Sequence, residues 1–227
     1  MSVSGTTSYN PILGELFTMA FSRCQVRRTE LLASHMADAR NEANLAQVEF
    51  VNAGVLLWKQ VLNTFTMVAG QSTYNVPPQT IMVLDLYITP SPGQDRLILP
   101  ISRTDYASIA NKQSYGFPTS FFFLRTVNPT LTFWPVPDNN TIYQVSYWSY
   151  VQIDDAVPAQ GGNADLQYRF LDAFVAKLAH RLARIYNPPV EALRKADADE
   201  AFALAMKADT ENTPMYFSPG LQGYYRP

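Results

Sequence analysis

Hydrophobic and polar positions follow two different periods along this chain, helical near both ends and strand-like between them. From Asn10-Pro11 onward, Leu13, Phe17, Ala20 and Cys24 recur at spacings of four, three and four, with Leu16 and Phe21 widening the stripe. That is one apolar helix face, and Asn10 and Pro11 suit its cap and first turn. Thr29 is placed to cap a second helix, along which Leu32, Met36, Ala39, Ala43, Ala46 and Phe50 alternate spacings of four and three. The alanines in this seam predict close approach to another helix. Asp38, Arg40, Glu42 and Glu49 are expected on the opposite side, and Asn52-Ala53-Gly54 ends the pattern.

Past Leu56-Leu57-Trp58 the period shortens. Strands are expected at Val61–Val68, Thr73–Val76, Ile81–Thr89, Arg96–Ile101, Thr119–Thr126, Thr130–Trp134 and Thr141–Ile153, where β-branched and aromatic residues lie between Gly, Pro, Asn and Asp. Thr104–Ala110 reads as a short helical turn. In the last strand Ile142, Gln144, Ser146, Trp148 and Tyr150 alternate with Tyr143, Val145, Tyr147 and Val151, so both faces carry large side chains. One face then covers a core and the other meets a neighbour. Phe121, Phe123, Trp134, Tyr147 and Trp148 are the candidate inter-subunit contacts of this region. Sequential antiparallel pairing in a sandwich or barrel is the simplest topology.

After a linker at Pro158–Asn163, Leu166, Phe170, Phe174, Leu178, Leu182 and Ile185 restore a helical stripe, with Arg169, Asp172, Lys177, Arg181 and Arg184 off it. Asn187-Pro188-Pro189 stops that helix and starts the next, an Ala-rich helix over Val190–Asp209 whose larger apolar groups are Leu193, Phe202 and Met206. From Thr213 a tail with Pro, Gly and aromatics follows. It cannot fold alone, and Tyr216, Phe217, Tyr224, Tyr225 and Arg226 suit anchorage in another surface. The expected organisation is N-terminal helices over residues 1–57, an inserted β-module over 58–157, C-terminal helices completing the bundle over 158–212, and a docking tail over 213–227. The fold class is α+β: a helical bundle with an inserted antiparallel β-sandwich or barrel-like module and an extended C-terminal tail.

Composition sharpens this picture in one respect. The formal net charge is −2 and the charged fraction is 16%, against roughly 25% for ordinary soluble proteins. So few charges with so many aromatics suggest a surface covered by other copies or partners, and no broad basic face exists for nucleic acid. Cys24 is the one cysteine, which excludes an intrachain disulfide, and its place on the first apolar stripe makes it a buried small hydrophobe. The opening MSVSGTTSYN has neither a basic start nor an apolar run, so no secretory signal is expected. No run approaches the ~20 apolar residues of a membrane span.

The search for chemistry returns nothing. No phosphate-binding GxxxxGK[ST], GxGxxG, GxSxG, HExxH or CxxC pattern occurs. His35 and His180 fall on separate helices without ligand spacing, and Asp154-Asp155 point apart on an extended segment. Arg23, Arg27 and Arg28 either complement a helix C-terminus or make one basic contact point per subunit. No catalytic, metal-ligating or cofactor-binding residue is nominated, and no cofactor is called for.

The order of several segments resembles a known family. NAGVLLWKQ, FTMVAGQSTYNVP, ILPISRTDYASIANKQSYGFPTSFFF and LTFWPVPD, flanked by helix pairs, resemble the head-to-tail adaptor (connector) proteins of tailed bacteriophages, nearest to the adaptors of short-tailed phages and their tail-tubular relatives. The resemblance spans about residues 10–210. It rests on Trp58-Lys59, the PISRxxYxxIxxK run from Pro100 to Lys112, the GxP at Gly116–Pro118 and the WPxPD at Trp134–Asp138. It implies a structural virion protein, not an enzyme, forming a homo-oligomeric ring of twelve copies in the neck of the particle. Its implied partners are the portal protein on one side and a tail tube, nozzle or other tail protein on the other, with viral DNA passing through the channel without sequence-specific binding and no membrane involved. Assembly would take place in the host cytoplasm. The competing reading of the residues is a ligand- or carbohydrate-binding β-module on a helical platform, with Tyr and Trp lining a groove.

Overall fold

Buried aromatic and alanine seams bring four helices together around one apolar centre. The computed structural model describes residues 5–54, 57–157 and 162–209. The helices are α1 (Leu13–Arg23), α2 (Ala33–Asn52), α4 (Leu171–Tyr186) and α5 (Glu191–Ala208), with the short α3 (Arg103–Ser108) in the β region. Helix α4 is the central element and packs on the other three long helices. Its Phe174, Leu178, Ala179 and Leu182 are fully buried beside Phe17, Phe21 and Ala20 of α1. The predicted seam of α2 is observed: Ala39, Ala43, Ala46 and Phe50 are at most 1% exposed. Phe50 stacks on Phe202 of α5 at 5.2 Å.

Two helix starts differ from the sequence expectation. Asn10 does not cap α1. Ile12 forms a β-bridge with Asn163, the Leu13 amide donates to the Gly162 carbonyl at 3.0 Å, and the helix begins there. Thr29 lies in a one-turn 3₁₀ segment, Arg28–Glu30, and α2 starts at Ala33, where Nδ1 of His35 accepts the Leu32 amide at 2.9 Å. A distant strand partner and a histidine, neither in the usual capping set, satisfy the free N–H groups. Gln25 ends α1 with φ 66°, where glycine is the common choice. Leu32, Leu193 and Ile185, assigned to apolar stripes, are 63%, 56% and 50% exposed.

The strands are β1 (Gln60–Thr66), β2 (Thr73–Asn75), β3 (Thr80–Ser91), β4 (Arg96–Pro100), β5 (Tyr115–Gly116), β6 (Ser120–Leu124), β7 (Thr130–Trp134), β8 (Val136–Pro137) and β9 (Ile142–Val151). Seven of them form one curled sheet in the order β1-β9-β3-β4-β6-β7-β2, and β5 pairs with β8. Sequential antiparallel pairing is therefore corrected: β9 inserts between β1 and β3, and β4 runs parallel to β6. Helix α3 occupies the crossover between β4 and β6, which a parallel pair requires. The curl brings the first and last strands together. Phe65 of β1 meets Tyr74 of β2 with ring centroids 4.9 Å apart, and the Tyr74 hydroxyl donates to the Val68 carbonyl and accepts its amide.

A second apolar core fills this curl, separate from that of the helices: Leu86, Ile88, Ile98, Phe121, Leu131, Phe133, Val145 and Tyr147 are at most 2% exposed. The row Asn63, Tyr147, Leu86, Ile98 lies across four adjacent strands on the inner face.

Candidate assembly surfaces

The β-module joins the bundle through Trp58 and Lys59. They lie in a 3₁₀ turn, Leu57–Lys59, just before β1. The Lys59 ammonium is 2.5 Å from Oδ2 of Asp165 and 3.7 Å from Asp154. The same Asp165 oxygen accepts the Asp154 amide at 3.0 Å, and Trp58 Nε1 donates to the Asp165 carbonyl at 3.3 Å. The Trp58 ring packs against Phe170, centroids 4.9 Å apart. One aspartate thus ties together the entry strand, the exit strand and the approach to α4. Asp154 is a junction residue, and its neighbour Asp155 is exposed with no ion pair among the described residues.

Of the four charged residues expected opposite the α2 seam, Asp38, Glu42 and Glu49 bond to α4 and Arg40 is exposed. Arg181 of α4 donates to Glu42 at 2.9 Å and to Glu49 at 3.2 Å, and Lys177 reaches Glu49 at 2.5 Å. Asp38 accepts the Tyr186 hydroxyl at 2.5 Å. Burial acts to raise the Glu49 pKa, but the bonds from Lys177 and Arg181 outweigh it and hold this carboxyl below its ordinary 4.5. The basic partners lie more than a hundred residues away in sequence, so local periodicity could not reveal them.

The other chemical candidates resolve into structural roles. Cys24 is fully buried, and burial pushes its thiol up to about 11 despite a small opposing influence from Arg194. His35 caps α2 as described, and His180 bonds Glu191 at the start of α5 through Nε2 at 2.9 Å. Arg23 pairs with Asp172 at 2.5 Å, which ties the end of α1 to α4. Among the described residues no group of His, Cys, Asp and Glu is arranged to hold a metal ion.

The segments that carried the family resemblance also turn out to be structural. Ser102 and Asp105 cap α3 reciprocally, Tyr106 stacks on Phe122 at 5.9 Å, and Lys112 donates to the carbonyls of Ala107 and Ile109 while lying over the Tyr106 ring. Trp134 Nε1 donates to Asn111 at 3.0 Å. Asp138 accepts the hydroxyl of Tyr143 at 2.9 Å. These bonds fold the long β4–β6 and β7–β9 connections against the sheet.

Of the aromatic contact candidates, Phe121 and Tyr147 are each 2% exposed. They point into the curl and fill their own subunit's core, so they offer no surface to a neighbour. Phe123 and Trp134 are half-buried. Trp148 is 39% exposed, on the outer face. Tyr216, Phe217, Tyr224, Tyr225 and Arg226 lie outside the described residues.

The outer face holds apolar groups that sequence reading passed over. Leu62 stands opposite Trp148, and Leu97 and Leu99 flank the buried Ile98 at 64% and 63% exposure. Alternation through Leu97-Ile98-Leu99 was the available signal. On α2, Leu45 and Val48 are 50% and 54% exposed, and at the β6–β7 turn Val127 is 88% exposed. Beside Val48 a groove of about 350 Å³ opens between α2 and the base of the module, lined by Gln47, Val48, Val51, Ile81, Ile153 and Asp155 among others. No helix among the described residues is long and apolar enough to cross a membrane.

The sequence pattern of the family described as SU10 adaptor protein matches residues 19–221. That span holds the C-terminal part of α1 and every later helix and strand, and it agrees with the resemblance to tailed-phage head-to-tail adaptors. No curated protein sequence matches the chain.

Proposed function

The chain belongs to the SU10 adaptor protein family, and on that premise we propose that it is the ring-forming connector of a phage neck. Copies stand side by side beneath the portal, twelve to a ring, extend the DNA channel and present a docking face to the tail. The observation that carries this reading is the set of large apolar side chains left exposed on a folded chain with two complete cores: Leu62, Trp148, Leu97 and Leu99 on the sheet, and Leu45 and Val48 on α2. Apolar patches of that kind mark contact with other proteins. A net charge of −2 suits a conduit along which DNA must slide, since rings of phosphate-binding cations would retard it. Such a role needs no catalytic group.

In this reading the two helix pairs over residues 1–57 and 158–212 build the body of the ring, the module over 58–157 projects from it, and the tail over 213–227 docks on the portal or a neighbouring subunit. The test is to mix the full chain with its portal protein and measure mass and ring formation by electron microscopy. Rings on portal are expected, and a chain that stays monomeric at every concentration, with portal present, overturns the reading. Deleting residues 213–227 should leave the melting temperature unchanged and weaken portal attachment. Unchanged affinity would show that the tail is not the anchor.

A further inference from the structure

Two features on one chain complement each other but do not touch. The first is the β6–β7 turn. Val127 is the most exposed large apolar residue among those described, at 88%, and Leu124 beside it is 40% exposed. The turn is rigidly made: Thr126 Oγ1 donates to the Asn128 carbonyl at 2.7 Å, and the Val76 amide donates to the Pro129 carbonyl at 3.1 Å. Arg125 lies over Phe123 with 5.9 Å to the ring centroid, and it has no ion pair among the described residues. A preformed apolar knob with a free cation loses little entropy when it binds.

The second feature is the groove beside α2. Its floor is Val48, Val51, Ile81 and Ile153 and its rim carries the unpaired Asp155. Gln47 lines it at 4% exposure, and its buried Nε2 has no hydrogen-bond partner among the described residues. The groove thus presents an apolar floor and a negative charge. The β6–β7 turn carries an apolar side chain and a positive charge to match.

Strand directions put both features at the same end of the molecule. β9 returns to the bundle at Val151, opposite Thr80 of β3. β4 runs back toward that end antiparallel to β3, and β6 runs parallel to β4, so the turn after Leu124 faces the bundle end, where the groove lies. Knob and groove are different patches of one chain, and a contact between them is head-to-tail, the kind that closes into a ring when the rotation permits.

We propose that the Leu124–Pro129 turn of one copy inserts into the α2 groove of the next, with Val127 on the apolar floor and Arg125 against Asp155. This deepens the ring reading and rests on it: it names the contact between neighbours.

The experiment uses the full chain assembled on its portal. Val48→Cys and Val127→Cys in one chain, oxidised with copper phenanthroline, should give a ladder of cross-linked copies that neither single variant gives. The buried thiol of Cys24 stays out of this reaction. Val127→Asp and Val48→Asp change exposed positions and should melt like the wild type, yet each should weaken assembly about tenfold or more. Mixed together, these two variants retain one intact contact and should stop at heterodimers. Arg125→Glu and Asp155→Arg should each weaken assembly and restore it when combined. Rings of the wild type that form equally well with Val127→Asp, or that give no cross-linked ladder, overturn this contact and leave the ring reading standing. A wild-type chain that never forms rings on portal overturns both.

Discussion

Replacing Lys59 with Met tests the claim that one aspartate fastens the β-module to the helices. The substitution removes the ammonium and keeps most of the aliphatic stem. Lys59 is 13% exposed and Asp165 29%, so the pair is neither in bulk water nor sealed. Exposed pairs contribute about 0–1 kcal/mol, and hydrogen bonds to buried charged groups about 1.5–3 kcal/mol. An intermediate cost of about 1.5 kcal/mol follows, or roughly 3–6 °C in melting temperature for a chain of this size. Asp165 keeps the Asp154 amide in the variant, so the fold should survive. Amide exchange should accelerate at the start of β1 and over Gln152–Asp154, and should stay unchanged in the middle of α4. Asp165→Asn added to Lys59→Met should recover at least part of the loss, because the unpaired carboxylate is gone. A melting temperature within about 1 °C of the wild type, or faster exchange spread evenly through the bundle, would refute the latch.

Two further outcomes follow from the buried titratable groups. Cys24, with its thiol raised to about 11, should resist iodoacetamide at pH 8 in the native protein and react fully in denaturant; rapid native labelling would contradict its burial. Glu49 is held below 4.5 by Lys177 and Arg181, so its stabilising effect is complete above that pH and is lost as pH falls through the lower folded-state value. Thermal melts between pH 6 and pH 3 should fall less steeply for Glu49→Gln than for the wild type, and parallel curves would show that the grip of Arg181 and Lys177 does not stabilise the bundle.

Much of the fold could be read in advance because it depends on short periods. The seam Ala39-Ala43-Ala46-Phe50, the stripe through Phe174 and Leu182, the burial of Cys24 and the β7 span Thr130–Trp134 all follow from spacing. What escaped depends on distant partners. Periodicity places Glu42 and Glu49 opposite the seam but cannot show Arg181 arriving from another helix, and Leu13 begins α1 because Gly162 supplies a carbonyl. The linker at Pro158–Asn163 falls largely outside the described residues. Strand order was equally hidden, since β9 must cross the whole module before it separates β1 from β3. The surplus of aromatic residues was legible in the sequence, but not which large side chains stay exposed. Phe121 and Tyr147 satisfy strand alternation on the inside, Leu97 and Leu99 do so on the outside, and Val127 stands on a turn.

The near-closure of the sheet, where Phe65 meets Tyr74, also bears on how separate copies behave toward one another. Bare strand edges would let identical chains polymerise indiscriminately through backbone pairing. Capping that seam with two rings and a hydroxyl leaves side-chain shape, rather than backbone adhesiveness, to decide which copies meet.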